Sequence, residues 1–210
     1  MLFRRALLFA VPSLVAFLLI GFLASPVLAA SAQSPEAFIN DLSAQALKAI
    51  NDKASAADRE KRFADLLETD FDLPRISRFV LGRYWLAASD PEKQEFQKLF
   101  ETYVVRAYSK RFSEYSGETV KVAGSRAEGA DAVVMSQIVR PNGAPPVKVD
   151  WRVHKDGNDY RIVDVNVEGI SMALTQKQEF AAVIERGGAG VSGLNKVLQE
   201  KLNNTTTAQQ

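Results

Sequence analysis

The hydrophobic pattern of this 210-residue chain changes its period twice. Up to Gly117 the apolar residues recur at helical spacing, and between Val120 and Val167 they alternate with polar residues, as in half-buried strands. From Thr175 onward the helical spacing returns. This order of helices, strands and helices predicts an α+β fold, in which a four-stranded antiparallel sheet is covered by several helices.

The strand with the clearest alternation is Val147–Lys155, and it predicts a sheet with one dry and one wet face. The dry side comprises Val147, Val149, Trp151 and Val153, and the wet side comprises Lys148, Asp150, Arg152 and His154. Asp156-Gly157 then predicts a tight hairpin into Tyr160–Val167, where Val163 and Val165 alternate with polar residues. The earlier strands are predicted around Val120 and Val122 and at Ala132–Val139.

The longest predicted helix is Pro91–Tyr115, which begins with the Ser89/Glu92 spacing of a capping box. Its broad aromatic stripe needs a cover of similar size, and the sheet is the obvious one. The helix is then either an ordinary core helix or one wall of an apolar cavity. Tyr84-Trp85, just before it, either lie at the mouth of that cavity or are ordinary packing residues. The other predicted helices are 35–52, Ala56–Thr69, Leu73–Leu81, 175–187 and Val191–Leu202.

Residues 1–30 have the pattern of a secretory signal peptide. Arg4 and Arg5 precede the apolar run Ala6–Ala24, and the small-residue cleavage pattern follows at Val27-Leu28-Ala29 or at Ala30-Ser31-Ala32. An uncleaved membrane anchor is the alternative, because the run is close to the roughly 17 residues that span a bilayer. In both cases the folded part lies outside the cytoplasm. It is predicted as one domain over 31–202 with a disordered polar tail at 203–210.

Residues that could carry chemistry are few. The chain has no cysteine and one histidine, His154, so neither a zinc site nor a Ser/His/Asp triad is indicated. Asp164 lies in mid-strand and is either a carboxylate base inside a cone-shaped α+β enzyme or, as favoured, an outward-facing side chain. A net charge of +1 gives no electrostatic footprint for nucleic acid. An exported domain with excess apolar surface and no catalytic constellation indicates a protein that binds an apolar compound.

Three separate blocks of the sequence resemble the MlaC family, the toluene-tolerance type of periplasmic lipid-binding proteins. They are FDLPRISRFVLGRYW at Phe71–Trp85 with the following helix, the strand Val149–Val153, and DYRIVDVNVEGISMALTQKQEF at Asp159–Phe180. The resemblance covers about Ala37 to Leu202. The amino-acid sequence around Arg78–Trp85 is most similar to the branch of the family found with hopanoid biosynthesis genes. Leu86 is a departure, since a basic residue is expected after the tryptophan, and it places the usual docking partner in doubt.

The resemblance implies an α+β clamshell whose deep apolar pocket holds the acyl tails of a phospholipid, or a hopanoid. Such a protein is a periplasmic carrier, not an enzyme, and needs no metal or cofactor. The implied inner-membrane partner is an MCE-domain transporter with an ABC ATPase, or an RND-type exporter in the hopanoid branch. An outer-membrane lipoprotein–porin assembly is the implied distal partner, and the implied role is in outer-membrane lipid asymmetry.

The apolar faces of the predicted elements supply the candidate lipid-binding residues. From the helices these are Ile76, Phe79, Val80, Trp85, Phe100, Tyr103, Val104 and Tyr108, and from the strands Val147, Val149, Trp151, Val153, Val163 and Val165. Two other hypotheses remain open. One is an enzyme that acts on an apolar substrate with Asp164 as base, which requires Asp164 inside the cavity with a raised pKa. The other is a membrane-tethered interaction module whose signal segment stays uncleaved.

Overall fold

The computed structural model describes residues 33–51, 55–112 and 117–207. The predicted signal peptide and Tyr115 lie outside these ranges. Among the described helices, none combines the length and the apolar character needed to cross a membrane. The elements in chain order are α1 Pro35–Asn51, α2 Ala56–Asp70, α3 Leu73–Leu81, α4 Tyr84–Ala87, α5 Asp90–Phe112, β1 Thr119–Glu128, β2 Asp131–Val139, β3 Val147–Asp156, β4 Asp159–Val167, β5 Ile170–Ser171, α6 Met172–Gly187 and α7 Gly190–Thr207.

The strands form one antiparallel sheet in the order β1-β2-β3-β4-β5. The α+β prediction is therefore confirmed, with five strands where four were predicted. The fifth is only two residues long, Ile170 and Ser171, which pair with Val167 and Asn166. A strand this short has no alternation to detect. The predicted hairpin between β3 and β4 is also confirmed, since Asp156 pairs with Asp159 across a tight turn.

Side chains at several helix ends make capping hydrogen bonds, and the predicted Ser89/Glu92 capping box is confirmed. The carboxylate of Asp72 accepts the Arg75 N–H at 3.0 Å and caps α3, and Ser89 and Glu92 cap α5 reciprocally. The predicted start of α6 at Thr175 is wrong, because Ser171 caps the helix by accepting the Leu174 N–H at 3.0 Å. Thr175 lies inside the helix and donates its hydroxyl to the Ser171 carbonyl.

Two hydrophobic cores hold the fold together. In the sheet core, Phe38, Ile39 and Leu42 of α1 pack against one face of the sheet, and Leu66 of α2 packs beside them. The sheet residues of this core include Val134, Val153 and Ile162, each with no exposed side-chain surface. The helical core is built from α3, α5, α6 and α7, with Phe96, Phe100 and Phe180 at its centre.

The prediction that the long helix covers the sheet is wrong. The buried residues Phe96, Leu99 and Phe100 of α5 belong to the helical core, while α1 covers the valine-rich face of the sheet. The aromatic stripe of α5 finds its cover in the C-terminal helices, where Phe180 meets Phe96 edge-on at 5.6 Å. A sequence stripe shows that a helix must be covered, but it does not show by what. α7 also continues to Thr207, past the predicted end at Leu202.

Candidate functional site

A cavity of about 590 Å³ lies between the sheet and helices α3 and α6, on the face opposite α1. The helix side is formed by Arg75 and Phe79 of α3 and by Ala173 and Leu174 of α6. Phe79 and Leu174 are partly exposed there, at 45% and 46%. The sheet side carries Arg126, Glu128, Asp131, Val133, Asp150, Arg152, Val163, Asp164 and Asn166. The helix side of the cavity therefore combines apolar residues with one cation, Arg75, and the sheet side is largely charged.

A β-bulge in β4 brings one apolar residue of the sheet to this cavity. Arg152 pairs with Asp164 and Val153 pairs with Ile162, so Val163 is the extra residue between them. Ile162 remains in the sheet core with no exposed surface, whereas its neighbour Val163 lines the cavity. Without the bulge, strict alternation would place Ile162 and Asp164 on the same face.

The favoured expectation that Asp164 faces outward is wrong, because this residue lines the cavity; its carboxylate, however, is engaged in holding the fold together. Its Oδ2 accepts the Ser171 hydroxyl at 2.6 Å, and its Oδ1 accepts the Ala173 N–H at 3.0 Å. The carboxylate therefore ties β4 to the first turn of α6, where a negative charge is favourable. This position explains why the helix begins beside the cavity. With both oxygens engaged, Asp164 is poorly placed to act as a base.

Asp131 is the centre of an ionic network along the sheet side. Its carboxylate lies 2.8 Å from Nδ1 of His154, 3.5 Å from Arg152 and 3.9 Å from Arg75. Arg152 also pairs with Glu128, which pairs with Arg126. His154, expected to be a solvated strand residue, is half-buried and bonded to Asp131. Most of the cavity's charged groups are thus paired with one another. In the described part of the chain, no cluster of His, Asp and Glu side chains is suited to hold a metal ion.

The structure brings two of the predicted lipid-binding residues, Phe79 and Val163, to this cavity. The others lie elsewhere, and their contact with a lipid stays a prediction. Ile76, Val80 and Phe100 are buried in the helical core, and Trp85, Tyr103 and Val104 pack against it; Val153 is buried in the sheet core, with Trp151 and Val165 against it; Val149 is buried, and Val147 and Tyr108 are half-buried.

Two of these residues have polar atoms engaged in internal contacts. Trp151 donates its indole N–H to the Ser136 hydroxyl at 2.9 Å, and Ser136 in turn donates to the Val149 carbonyl. Trp85 packs against the helical core, and the Lys93 ammonium lies over its ring. Its place in the fold is therefore that of a packing residue.

Sequence reasoning missed the cavity residues Arg75, Val133, Ala173 and Leu174. One available signal was the spacing of Arg75 and Phe79, which lie one turn apart on the same side of α3. The signal for Val133 was weaker, because its neighbours Ala132 and Val134 are also apolar and the sequence shows no alternation there. For Ala173 and Leu174 the signal was obscured, since the predicted helix began after them.

A comparison with protein-family models decides the family. The model described as "MlaC protein" matches residues 40–200. The chain belongs to the MlaC family. This confirms the predicted resemblance, and the match spans nearly all of the described residues.

Individual members of the MlaC family show the same relationship. The toluene tolerance protein ttg2D of Pseudomonas putida is 22% identical over 177 residues, which are 81% of this chain and 82% of that protein. The intermembrane phospholipid transport system binding protein MlaC of Haemophilus influenzae is 20% identical over 113 residues, 52% of this chain and 53% of that protein.

A solved structure shows the same fold. The phospholipid-binding protein from Ralstonia solanacearum, determined in complex with a phospholipid, is 28% identical with a TM-score of 0.71. The similarity covers 82% of this chain and 97% of the other. The predicted fold class is confirmed by this agreement, with the correction of one further strand.

Proposed function

We propose that this protein is a periplasmic phospholipid carrier that buries acyl chain in the cavity between the sheet and helices α3 and α6. The observation that carries the proposal is this cavity, in a chain that shares its fold with a protein holding a phospholipid. The physical need is clear, because each methylene moved out of water gains about 0.8 kcal/mol. An acyl chain of a dozen methylenes therefore gains roughly 10 kcal/mol on burial.

The volume of the cavity indicates how much lipid the structure accepts without rearrangement. Its 590 Å³ lies within the range of about 300–1,000 Å³ typical of small-molecule sites. If a methylene occupies about 30 Å³, similar to a water in the liquid, a 16-carbon chain needs roughly 480 Å³. The cavity then has room for one such chain. A second chain requires α3 and α6 to move away from the sheet. Alternatively, the predicted lipid-binding residues that lie in the two cores must separate.

The route of the lipid is also a proposal. A cleaved signal peptide over 1–30 delivers the protein to the periplasm, where it passes lipid between two membranes. An MCE-domain/ABC transporter, or an RND-type exporter, is the inner-membrane partner, and a lipoprotein–porin assembly is the outer-membrane partner. The name of the Haemophilus influenzae relative, an intermembrane transport binding protein, supports this route. Delivery is passive and follows the difference in lipid affinity between carrier and docked complex. A hopanoid is the alternative cargo.

The proposal is tested by native mass spectrometry of the exported protein, purified gently with two variants. Leu174→Asp places a charge at the cavity side of α6, and Val197→Asp places one at a similarly exposed site on α7. We expect lipid on the wild type and on Val197→Asp, and its loss from Leu174→Asp, because a carboxylate in the cavity opposes burial of an acyl chain. A wild type that purifies without lipid and refuses added phospholipid would overturn the proposal. The intact mass also reports whether the first 30 residues are removed.

A further inference from the structure

Lys177 on α6 is a cation that contacts the cavity residue Phe79 and has no anionic partner among the described residues. Its ammonium lies 4.8 Å from the centre of the Phe79 ring, and Phe79 lines the cavity. No carboxylate of the described residues forms an ion pair with Lys177, in contrast to Arg152 and Arg126 on the sheet side. An aromatic ring attracts a cation only modestly, so the ammonium remains available for a stronger partner.

The position of Lys177 is set by the end of α3. Gly82 ends this helix with a positive φ of 53°, and the stem of Lys177 passes directly over it. A Cβ at Gly82 would lie 2.8 Å from Cε of Lys177, so the missing side chain leaves the space that the lysine occupies. The lysine is thus held between Gly82 and the Phe79 ring.

Arg75 supplies a second cation on the other side of Phe79. It lies one turn earlier on α3, roughly 5–6 Å away along the helix, and its side chain is 46% exposed. It lines the cavity, and its contact with Asp131 is long, at 3.9 Å. The acidic residues of the cavity, Glu128, Asp131, Asp150 and Asp164, all belong to the sheet side, where Arg126 and Arg152 are paired with Glu128. On the helix side, Arg75 and Lys177 are two cations next to the exposed Phe79 ring, with no acidic residue of the cavity lining on that side.

We propose that Lys177 and Arg75 form a subsite for the phosphate of a lipid headgroup whose acyl chain lies in the cavity. The inference rests on the proposed carrier function and adds the part of the ligand that composition and volume do not reach. Arginine and lysine bind phosphate through charge-assisted hydrogen bonds, and Phe79 separates the two cations while its ring faces the acyl chain. A cargo without phosphate, such as a simple hopanoid, gains nothing from this pair.

The test compares two single-chain ligands that differ in the phosphate. Binding of monomeric lysophosphatidylglycerol and of monoacylglycerol with the same chain is measured for the wild type, Lys177→Gln and Arg75→Gln. The matched control is Lys196→Gln, an exposed lysine on α7, a helix that contributes no residue to the cavity lining. We expect Lys177→Gln to weaken lysophosphatidylglycerol binding about tenfold, Arg75→Gln somewhat less, and neither to change monoacylglycerol binding.

The other outcomes overturn the subsite or the function separately. Equal losses for both ligands would assign Lys177 to the shape of the cavity and remove the phosphate subsite. Inorganic phosphate that binds as tightly as the lysolipid would make this an ordinary anion site. A Lys177-dependent binding to phosphatidylglycerol vesicles, without any effect on monomeric lysolipid, would make it a membrane-docking surface. A wild type that binds neither single-chain ligand would refute the carrier function itself.

Discussion

The two faces of the sheet share one backbone but differ in how closely other elements cover them. The sealed face, represented by Val134, Val153 and Ile162, is covered by α1 and has no exposed side-chain surface at these residues. The cavity face, represented by Asp150 and Arg152, is separated from α3 and α6 by the cavity of about 590 Å³. Both faces are produced by the same alternation along β3.

This difference shows where a cavity forms in such a fold. The most apolar face attracts the closest cover, because burying it gives the largest gain in free energy. A face with arginines and carboxylates cannot be packed as closely, since each charged group must keep its partners. The network around Asp131 keeps them on the cavity face. The cavity lies on the wet side of the sheet for this reason.

Substitution of two neighbours on β4 gives the largest expected contrast between the faces. Ile162→Ala should lower the free energy of unfolding by about 2–5 kcal/mol, because it leaves a hole in the sealed core. Val163→Ala, on the cavity face, removes atoms that already border open space and should cost clearly less. Urea denaturation of both variants measures the two values. Equal losses at both positions would show that the cavity face is packed as tightly as the sealed one.

The next effect concerns the connection between the cavity face and α6. Asp164→Ala should destabilise the protein by about 1–3 kcal/mol, because the Ser171 hydroxyl and the Ala173 N–H lose their acceptor. Asp164→Asn keeps an acceptor oxygen and should cost less. Hydrogen exchange should show the loss of protection at the first turn of α6. Unchanged stability in both variants would mean that the carboxylate is not needed for the fold, and the hypothesis of an enzymatic base would then gain ground.

These contrasts mark what the sequence could and could not predict. The alternation at Val147–Val153 correctly gave the two faces of β3, and Ser89/Glu92 gave the start of α5. Local spacing reports only whether a side is apolar. The choice between α1 and α5 as the cover of the sheet depends on contacts far apart in the chain, which spacing does not contain.

The cavity was harder to predict than the fold for a related reason. The predicted cavity residues lie on the apolar sides of their helices and strands, and these are the sides that other elements cover. Phe79 was found because it is apolar, whereas Arg75 beside it was passed over because it is charged. Val163 was predicted as a cavity residue of β4, but only the bulge at Val163 itself explains which face of the sheet it lies on. A bulge leaves no reliable mark in a single sequence.

Phe79 offers a substitution that separates stability from binding. Phe79→Ala should change the free energy of unfolding by less than about 1 kcal/mol, because 45% of the residue is exposed. Acyl-chain binding should fall severalfold, since the ring lines the helix side of the cavity. Phe100→Ala is the matched control, being 3% exposed in the helical core, and should mainly lower stability. A Phe79 variant that unfolds easily yet binds normally would assign this residue to the core.

The smallest expected effect concerns a buried carboxyl group that does not line the cavity. Asp70, at the end of α2, is 9% exposed, and this burial raises its pKa above the usual 3.8, with Arg161 acting in the opposite direction. The folded state thus holds the proton more tightly than the unfolded state. The contribution of Asp70 to stability is largest below pH 3.8 and falls as the pH rises through the raised pKa.

Asp70→Asn cannot ionise and should avoid this fall. The free energy of unfolding of the variant minus that of the wild type should be more positive at pH 7 than at pH 3.5. The change in this difference should be less than about 1 kcal/mol, the size of a typical substitution effect. Denaturation of both proteins at the two pH values measures the difference, and groups common to both proteins cancel. If the variant is less stable than the wild type by the same amount at both pH values, Asp70 contributes through contacts that do not depend on its charge. A variant that loses more stability at pH 7 than at pH 3.5 would show that attraction to Arg161 outweighs burial, as for the paired charges of the cavity face.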